Sequence, residues 1–197
     1  MIYKSVTITA SGGGVGNIKN DDTNWDNCRN DTNGDSTDVS RLYVRSERSS
    51  GNYQIYRTLL PIDTSSIPTY AYILSARLRL YCQEKQDNIG SGGVYLFGPT
   101  SQPSTTGFTT ADYDLVAGST YGQISLSALV VGTTNDIIIN SPNQNITKGS
   151  TSKFGLREYY DYAASFPPTN NANYAGFDLG AQLIVTYAVF GTTVPMI

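Results

Sequence analysis

Not one of the 197 residues is a histidine. That absence removes Ser-His-Asp triads, Cys-His dyads and histidine-ligated zinc from the chemistry open to this chain. Carboxylate pairs remain, because two acidic side chains can serve a glycosidic bond as acid and base, or as acid and nucleophile, with no other residue type. The spacings that offer such a pair are Asp112 with Asp114 and Glu158 with Asp161. Acids this close in sequence commonly solvate loops and cap turns, so the expectation is a protein that is not an enzyme.

Acids and amides crowd one further stretch, Asn20 to Asp38. Oxygen ligands two residues apart can wrap a calcium ion, which accepts six to eight oxygens in irregular geometry. Asp31, Asn33, Asp35 and Asp38 are the candidate ligands for a structural calcium. An EF-hand loop would want glycine at position six and a bidentate glutamate at position twelve; counted from Asp31, Gly34 comes too early and Leu42 takes the last place. The competing reading is a solvated loop of Asx turns.

Aromatic residues supply the other candidate surface. The chain has 15 tyrosines and a single tryptophan. Exposed aromatic faces stack on sugar rings or anchor interfaces, with a hydroxyl or indole N–H meeting the polar side. Trp25 and the cluster Tyr159, Tyr160 and Tyr162 are the candidate ligand-binding residues, with Phe166 beside them. Strand-end packing competes with that reading, since aromatic residues favour sheets.

Strands must carry these residues. From Leu74 to Cys82 the sequence alternates, with Leu74, Ala76, Leu78, Leu80 and Cys82 on one side and Ser75, Arg77, Arg79 and Tyr81 on the other. This is the period of a strand with one face in the core. Arg77 and Arg79 on the outer face are expected to pair with neighbouring acids or with another subunit, two charges being too few for an anion stripe. Similar runs predict strands at Ser5–Ala10, Arg41–Arg45, Tyr53–Ile62, Ile73–Cys82, Gly93–Phe97, Gln123–Leu126, Asp136–Asn140, Lys153–Glu158 and Gln182–Phe190. Gly, Asn, Ser and Pro clusters separate them, a pattern that fits a two-sheet antiparallel jelly-roll-like β-sandwich. Long loops are expected at Gly12–Ser40, Gly98–Tyr121 and Tyr159–Asp178, with a helical turn at Thr110–Val116 or Ser125–Val131. The Asp63–Pro68 connection is too long for a two-residue hairpin and reads as an arch or wider turn. Residues 1–197 read as one domain.

Net charge is −3, which leaves no basic face for nucleic acid. No apolar run is long enough to span a membrane. Met1 to Ala10 reads as a strand and not as a signal peptide. Cys28 and Cys82 could close one long loop or stand as two free thiols. The apolar setting of Cys82 favours free thiols. The apolar tail offers Val194, Met196 and Ile197 as candidate assembly residues.

At Tyr56-Arg-Thr-Leu-Leu-Pro-Ile-Asp-Thr-Ser-Ser-Ile-Pro68, followed by Ile73-Leu-Ser-Ala-Arg-Leu-Arg-Leu-Tyr81, the chain resembles the DNRLRE-type domains. Lys153-Phe-Gly-Leu-Arg-Glu158 and Leu183-Ile-Val-Thr-Tyr187 are similar to late strands of that family. The resemblance implies a jelly-roll-like sandwich related to carbohydrate-binding modules, found on secreted proteins and in virus-encoded structural proteins. It makes the leading expectation a non-enzymatic structural or adhesion protein of a virus particle, such as a phage capsid decoration or a tail-associated sandwich. Its partners would be other subunits of the particle and surface glycans. A secreted carbohydrate-binding module and a subunit of an extracellular filament are the alternatives, and the location is accordingly a virion surface or extracellular.

Overall fold

The computed structural model describes residues 1–102 and 104–190. In chain order the strands are β1 (Ile2–Thr9), β2 (Gly16–Asp22), β3 (Ser36–Asp38), β4 (Leu42–Ser49), β5 (Asn52–Asp63), β6 (Tyr72–Asp87), β7 (Gly93–Gly98), β8 (Ser119–Ser125), β9 (Thr133–Ile138), β10 (Thr151–Glu158), β11 (Ala172–Phe177) and β12 (Gln182–Val189). Short helices α1 (Trp25–Asn30), α2 (Pro142–Asn145) and α3 (Tyr159–Ala163) punctuate them. Both sites expected to turn helically do so, as 3-10 turns at Thr110–Leu115 and Leu126–Ala128.

Every strand pairing is antiparallel, and the all-β expectation holds. The ladder does not split into two sheets. It follows one path, β1-β12-β6-β11-β4-β5-β10-β7-β8, with β2 and β3 attached through β5 and β9 attached through β6. Long strands cause this. β6 takes β12 along Tyr72–Arg79 and β11 along Cys82–Asp87, while β5 takes β4 along Asn52–Tyr56 and β10 along Thr58–Asp63. Each serves two partners in succession, so the ladder passes from one packed layer to the next without an edge. A backbone hydrogen bond from Asn140 N to Tyr121 O at 2.7 Å ties the end of β9 to β8 and nearly closes the circuit.

The main core is aliphatic and includes Leu42, Val44, Leu60, Ile62, Leu78, Leu80, Leu96, Leu156, Leu183 and Val185, all buried. Burying each such side chain stabilises the fold by roughly 1.5–3 kcal/mol. The alternation along β6 holds from Ala76 to Cys82 but breaks at Leu74, which is 45% exposed while Ile73 is 2% exposed. Thr186 pairs with Ser75 and Tyr187 with Ile73, so Leu74 is an inserted residue in a bulge, and a bulge reverses the facing of what precedes it. Arg77 and Arg79 do meet an acid: Arg79 Nε donates to Asp136 at 2.8 Å and Arg77 Nε lies 3.0 Å from the same carboxylate.

The Asp63–Pro68 connection leads from β5 to β6, strands that do not pair with each other. Ser65 N donates to Asp63 Oδ1 at 2.9 Å, the Thr64 hydroxyl donates to Ser150 O at 2.8 Å, and Ile67 is fully buried. The signature therefore plugs a crossover arch into the core.

Three strands were not expected. Gly12–Ser40 holds β2, α1 and β3, and Tyr159–Asp178 holds α3 and β11, where loops had been predicted. β2 buries two amides beside its one aliphatic, Ile18. Asn17 Nδ2 donates to Arg41 O at 2.7 Å while its Oδ1 accepts from the Thr58 hydroxyl at 3.0 Å, and Asn20 Nδ2 donates to Cys28 O at 2.9 Å. In β11, Ala-Asn-Tyr-Ala-Gly-Phe, the two aromatics Tyr174 and Phe177 stand among Ala, Asn and Gly, which weaken the strand signal. Cys28 and Cys82 are free, buried thiols.

Candidate functional site

A second, smaller core joins Ile18, Ile55, Leu59, Phe97 and Val116 to Trp25 and Cys28 of α1 and to Tyr113 of the first 3-10 turn. At its margin α3 begins where β10 ends. The Glu158 carboxylate accepts from Tyr160 N at 2.8 Å and so caps the helix. One residue on, Asp161 is fully buried. Its carboxylate accepts from Arg57 Nε at 2.8 Å and Nη2 at 2.7 Å, and from Arg157 Nε at 2.7 Å. Its carbonyl accepts from Arg29 Nε at 2.8 Å and Arg157 Nη2 at 2.7 Å. The Arg57 guanidinium lies 4.0 Å from the centre of the Tyr113 ring and that of Arg157 5.4 Å from the Phe97 ring.

Burial alone would raise the Asp161 carboxyl, but the Arg57 and Arg157 guanidiniums outweigh it and hold the group far below the usual carboxylate range. A carboxylate locked as the anion is a poor proton carrier. Glu158 is also fully buried, and burial pushes it up to about 7. Asn173 Nδ2 approaches its Oε1 at 3.5 Å. Glu158 and Asp161 thus serve different partners and do not act as a pair. Asp112 closes a capping box by accepting from Thr109 N at 2.7 Å, and Asp114 is exposed.

Outside this ionic anchor, α3 presents its tyrosines. The Tyr162 ring stacks on Tyr95 with centroids 4.5 Å apart and planes 25° from parallel, and Phe97 supports it edge-on at 5.7 Å. Tyr159 lies 6.2 Å from Tyr95, and Tyr160 meets Tyr159 edge-on at 5.3 Å. Tyr162 stays 40% exposed. Tyr95 also lines a shallow cleft of roughly 180 Å³ whose other walls include Asp87, Ser91, Gly92, Gln123 and Ser125. The loop on its rim is fixed from behind, because Asn173 accepts from Ile89 N at 3.0 Å and donates to Gly90 O at 3.2 Å. Tyr160 Oη reaches Gly90 O at 3.4 Å.

The structure therefore brings Tyr159, Tyr160 and Tyr162 together and adds Tyr95, which sequence reasoning missed. The missed signal was the facing of Tyr95 between the buried Val94 and Leu96. Trp25 is not part of this surface. It is 6% exposed, packed into the second core with its ring 5.6 Å from Tyr53, so the expectation of a stacking platform there is corrected.

The proposed calcium ligands are engaged in hydrogen bonds within the protein, Asp31 and Asp38 in local turns and Asp35 across to β2. Asp31 Oδ1 accepts from Asn33 N at 3.2 Å, Asp35 Oδ2 from Asp21 N at 2.7 Å and Asp38 Oδ1 from Ser40 N at 2.7 Å, while Asn33 Nδ2 donates to the Thr32 hydroxyl at 3.1 Å. Among the described residues no group of three or more His, Cys, Asp or Glu side chains is placed to hold a metal ion. Val194, Met196 and Ile197 lie outside the described residues. No described helix is long and apolar enough to cross a membrane.

Comparison of the chain with protein-family models and with curated proteins finds no match. What it binds is therefore read from the site.

Proposed function

We propose that the protein is a non-enzymatic adhesion module that binds a surface glycan in the cleft beside Tyr95 and Tyr162. The observation that carries this reading is the stacked, part-exposed pair Tyr95 and Tyr162 next to a cleft lined by hydroxyls, amides and one carboxylate. A sugar ring offers an apolar C–H face to an aromatic ring and a rim of hydroxyls to polar side chains, which is the division of labour present here. A fixed rim limits the ordering cost of binding. The absence of histidine and the locked Asp161 support a binding role over a catalytic one.

The setting we propose is the surface of a virus particle. Its support is the resemblance of the Tyr56–Pro68 signature to DNRLRE-type domains. Peptides of this chain should appear in mass spectra of purified particles, and particles lacking them would count against that setting.

A glycan array on the purified chain should identify a bound saccharide. Calorimetry with that saccharide should then show Tyr95→Ala and Tyr162→Ala each weakening affinity about tenfold, a little over 1 kcal/mol for a lost stacking face. No signal on the array, or unchanged affinity in both variants, sinks the proposal.

A further inference from the structure

β1 ends the strand path, with β12 on one side and no described strand on the other. Natural edge strands are usually blunted by proline, bulges, inward charges or short length. The eight residues of β1 pair with β12 in unbroken register and include no proline or bulge; their one charge, Lys4, shares the face of Val6 and Ile8 but stays exposed.

The hydrogen-bonding phase of this edge can be read. Ala10 N donates to Ala181 O at 2.8 Å, and that pair continues the β1–β12 register. Bonded and non-bonded pairs alternate along an antiparallel ladder. The even-numbered residues of β1 therefore bond to β12, and Tyr3, Ser5, Thr7 and Thr9 turn their N–H and C=O groups to the open side. Val6 and Ile8 pack against the main core yet remain half-exposed. Among the described residues the odd positions have no backbone partner on the open side, and Val6 and Ile8 are only partly covered.

We propose that this edge is filled by a second copy of the chain, which adds its own β1 antiparallel across a two-fold axis at Val6. Tyr3 then faces Thr9, and Ser5 faces Thr7, on both sides of the axis, giving about eight backbone hydrogen bonds from the residues that point outward. Val6 meets its own counterpart. Lys4 lies across Ile8 of the second copy, where its stem covers apolar surface and its ammonium reaches water. The strand is thus complementary to itself, as an isologous contact requires, and the two lysines stay apart. A contact of one strand per copy is small, so association is weak and concentration-dependent. It involves none of the cleft residues and stands apart from the glycan reading.

Sedimentation velocity of the full chain from about 1 µM to about 1 mM should show monomer giving way to dimer. Thr7→Pro removes an outward N–H and spares the ladder to β12, so it should weaken association at least about tenfold. Val6→Cys places two thiols at a non-bonded pair about 4.5 Å apart between Cα atoms, a separation that suits a disulfide. Mild oxidation should trap it as a covalent dimer. A monomer at every concentration with no trapped V6C dimer overturns the proposal, and so does a dimer that T7P leaves intact or V6C fails to trap. If T7P does not fold, trapping of V6C decides alone.

Discussion

Asp161→Asn should lower the stability of this protein by about 3–5 kcal/mol, the scale on which removing one partner from a buried ion network is felt. The reason is an imbalance of charge. Arg57 and Arg157 are 3% and 8% exposed, and among the described residues the Asp161 carboxylate is the only acidic group that forms ion pairs with them. The amide keeps the shape and can still accept a hydrogen bond, but two guanidiniums would remain buried without an anion. The Arg29 bond goes to the Asp161 carbonyl and survives the change. Local consequences follow the same geometry, because α3 is anchored through Asp161 and carries Tyr159, Tyr160 and Tyr162. Denaturant unfolding at neutral pH measures the loss, and a change below about 1 kcal/mol would contradict the network's role. Replacing Arg57, Asp161 and Arg157 together by apolar residues of similar volume should recover much of the stability, because the desolvation cost then disappears with the charges.

The parts of the fold legible in sequence are those where burial and periodicity coincide. β12 and most of β6 bury apolar side chains at alternate positions, β5 and β10 are buried along most of their length, and the predicted spans match those observed closely except at the end of β6, which runs on to Asp87. β2 was illegible because its buried positions include Asn17 and Asn20, whose amides satisfy backbone groups of other segments. A buried amide looks like a loop residue until its partners are known. Leu74 shows a different limit, since the alternation gives no warning of a bulge. At the site, the acid-rich look of the chain near Tyr159 was read as loop solvation, whereas Asp161 is the centre of the buried network. Its partners Arg57 and Arg29 are 104 and 132 residues away, a separation that no local pattern spans. Tyr95 escaped for the same reason, and Trp25 was misplaced because α1 turns it inward.

Glu158 should make stability fall as pH rises between about 4.5 and 7, the opposite of the usual carboxylate behaviour. It is fully buried, and burial pushes it up to about 7. None of the ion pairs among the described residues includes it; its polar neighbours are Tyr160 N, the Asn173 amide and the Ser46 hydroxyl. Across this window the folded chain keeps a proton that the unfolded chain has released, so raising pH favours unfolding. The stabilisation is complete below the unfolded pKa and lost as pH passes the folded one. At about 1.4 kcal/mol per unit, the full window is worth about 3–4 kcal/mol. Asp161 works in the other direction, contributing stability above its unfolded pKa near 3.9 that is lost as pH falls further. The summed contribution of these two groups is greatest in mildly acidic solution, between their two unfolded pKa values. Glu158→Gln mimics the protonated acid and should flatten the slope between pH 5 and about 7, leaving the variant more stable than the parent above pH 7. Urea unfolding of both proteins across this range separates the outcomes, because slopes from other groups are common to the two. Equal slopes in parent and variant would show that Glu158 does not titrate there. The same proton also bears on the cleft, since Asn173 approaches Glu158 while clamping the Ile89–Gly90 rim. Loss of that proton puts an anion behind the rim, so on the proposed glycan reading affinity should weaken from pH 5 to pH 8 in the parent and hold steady in E158Q.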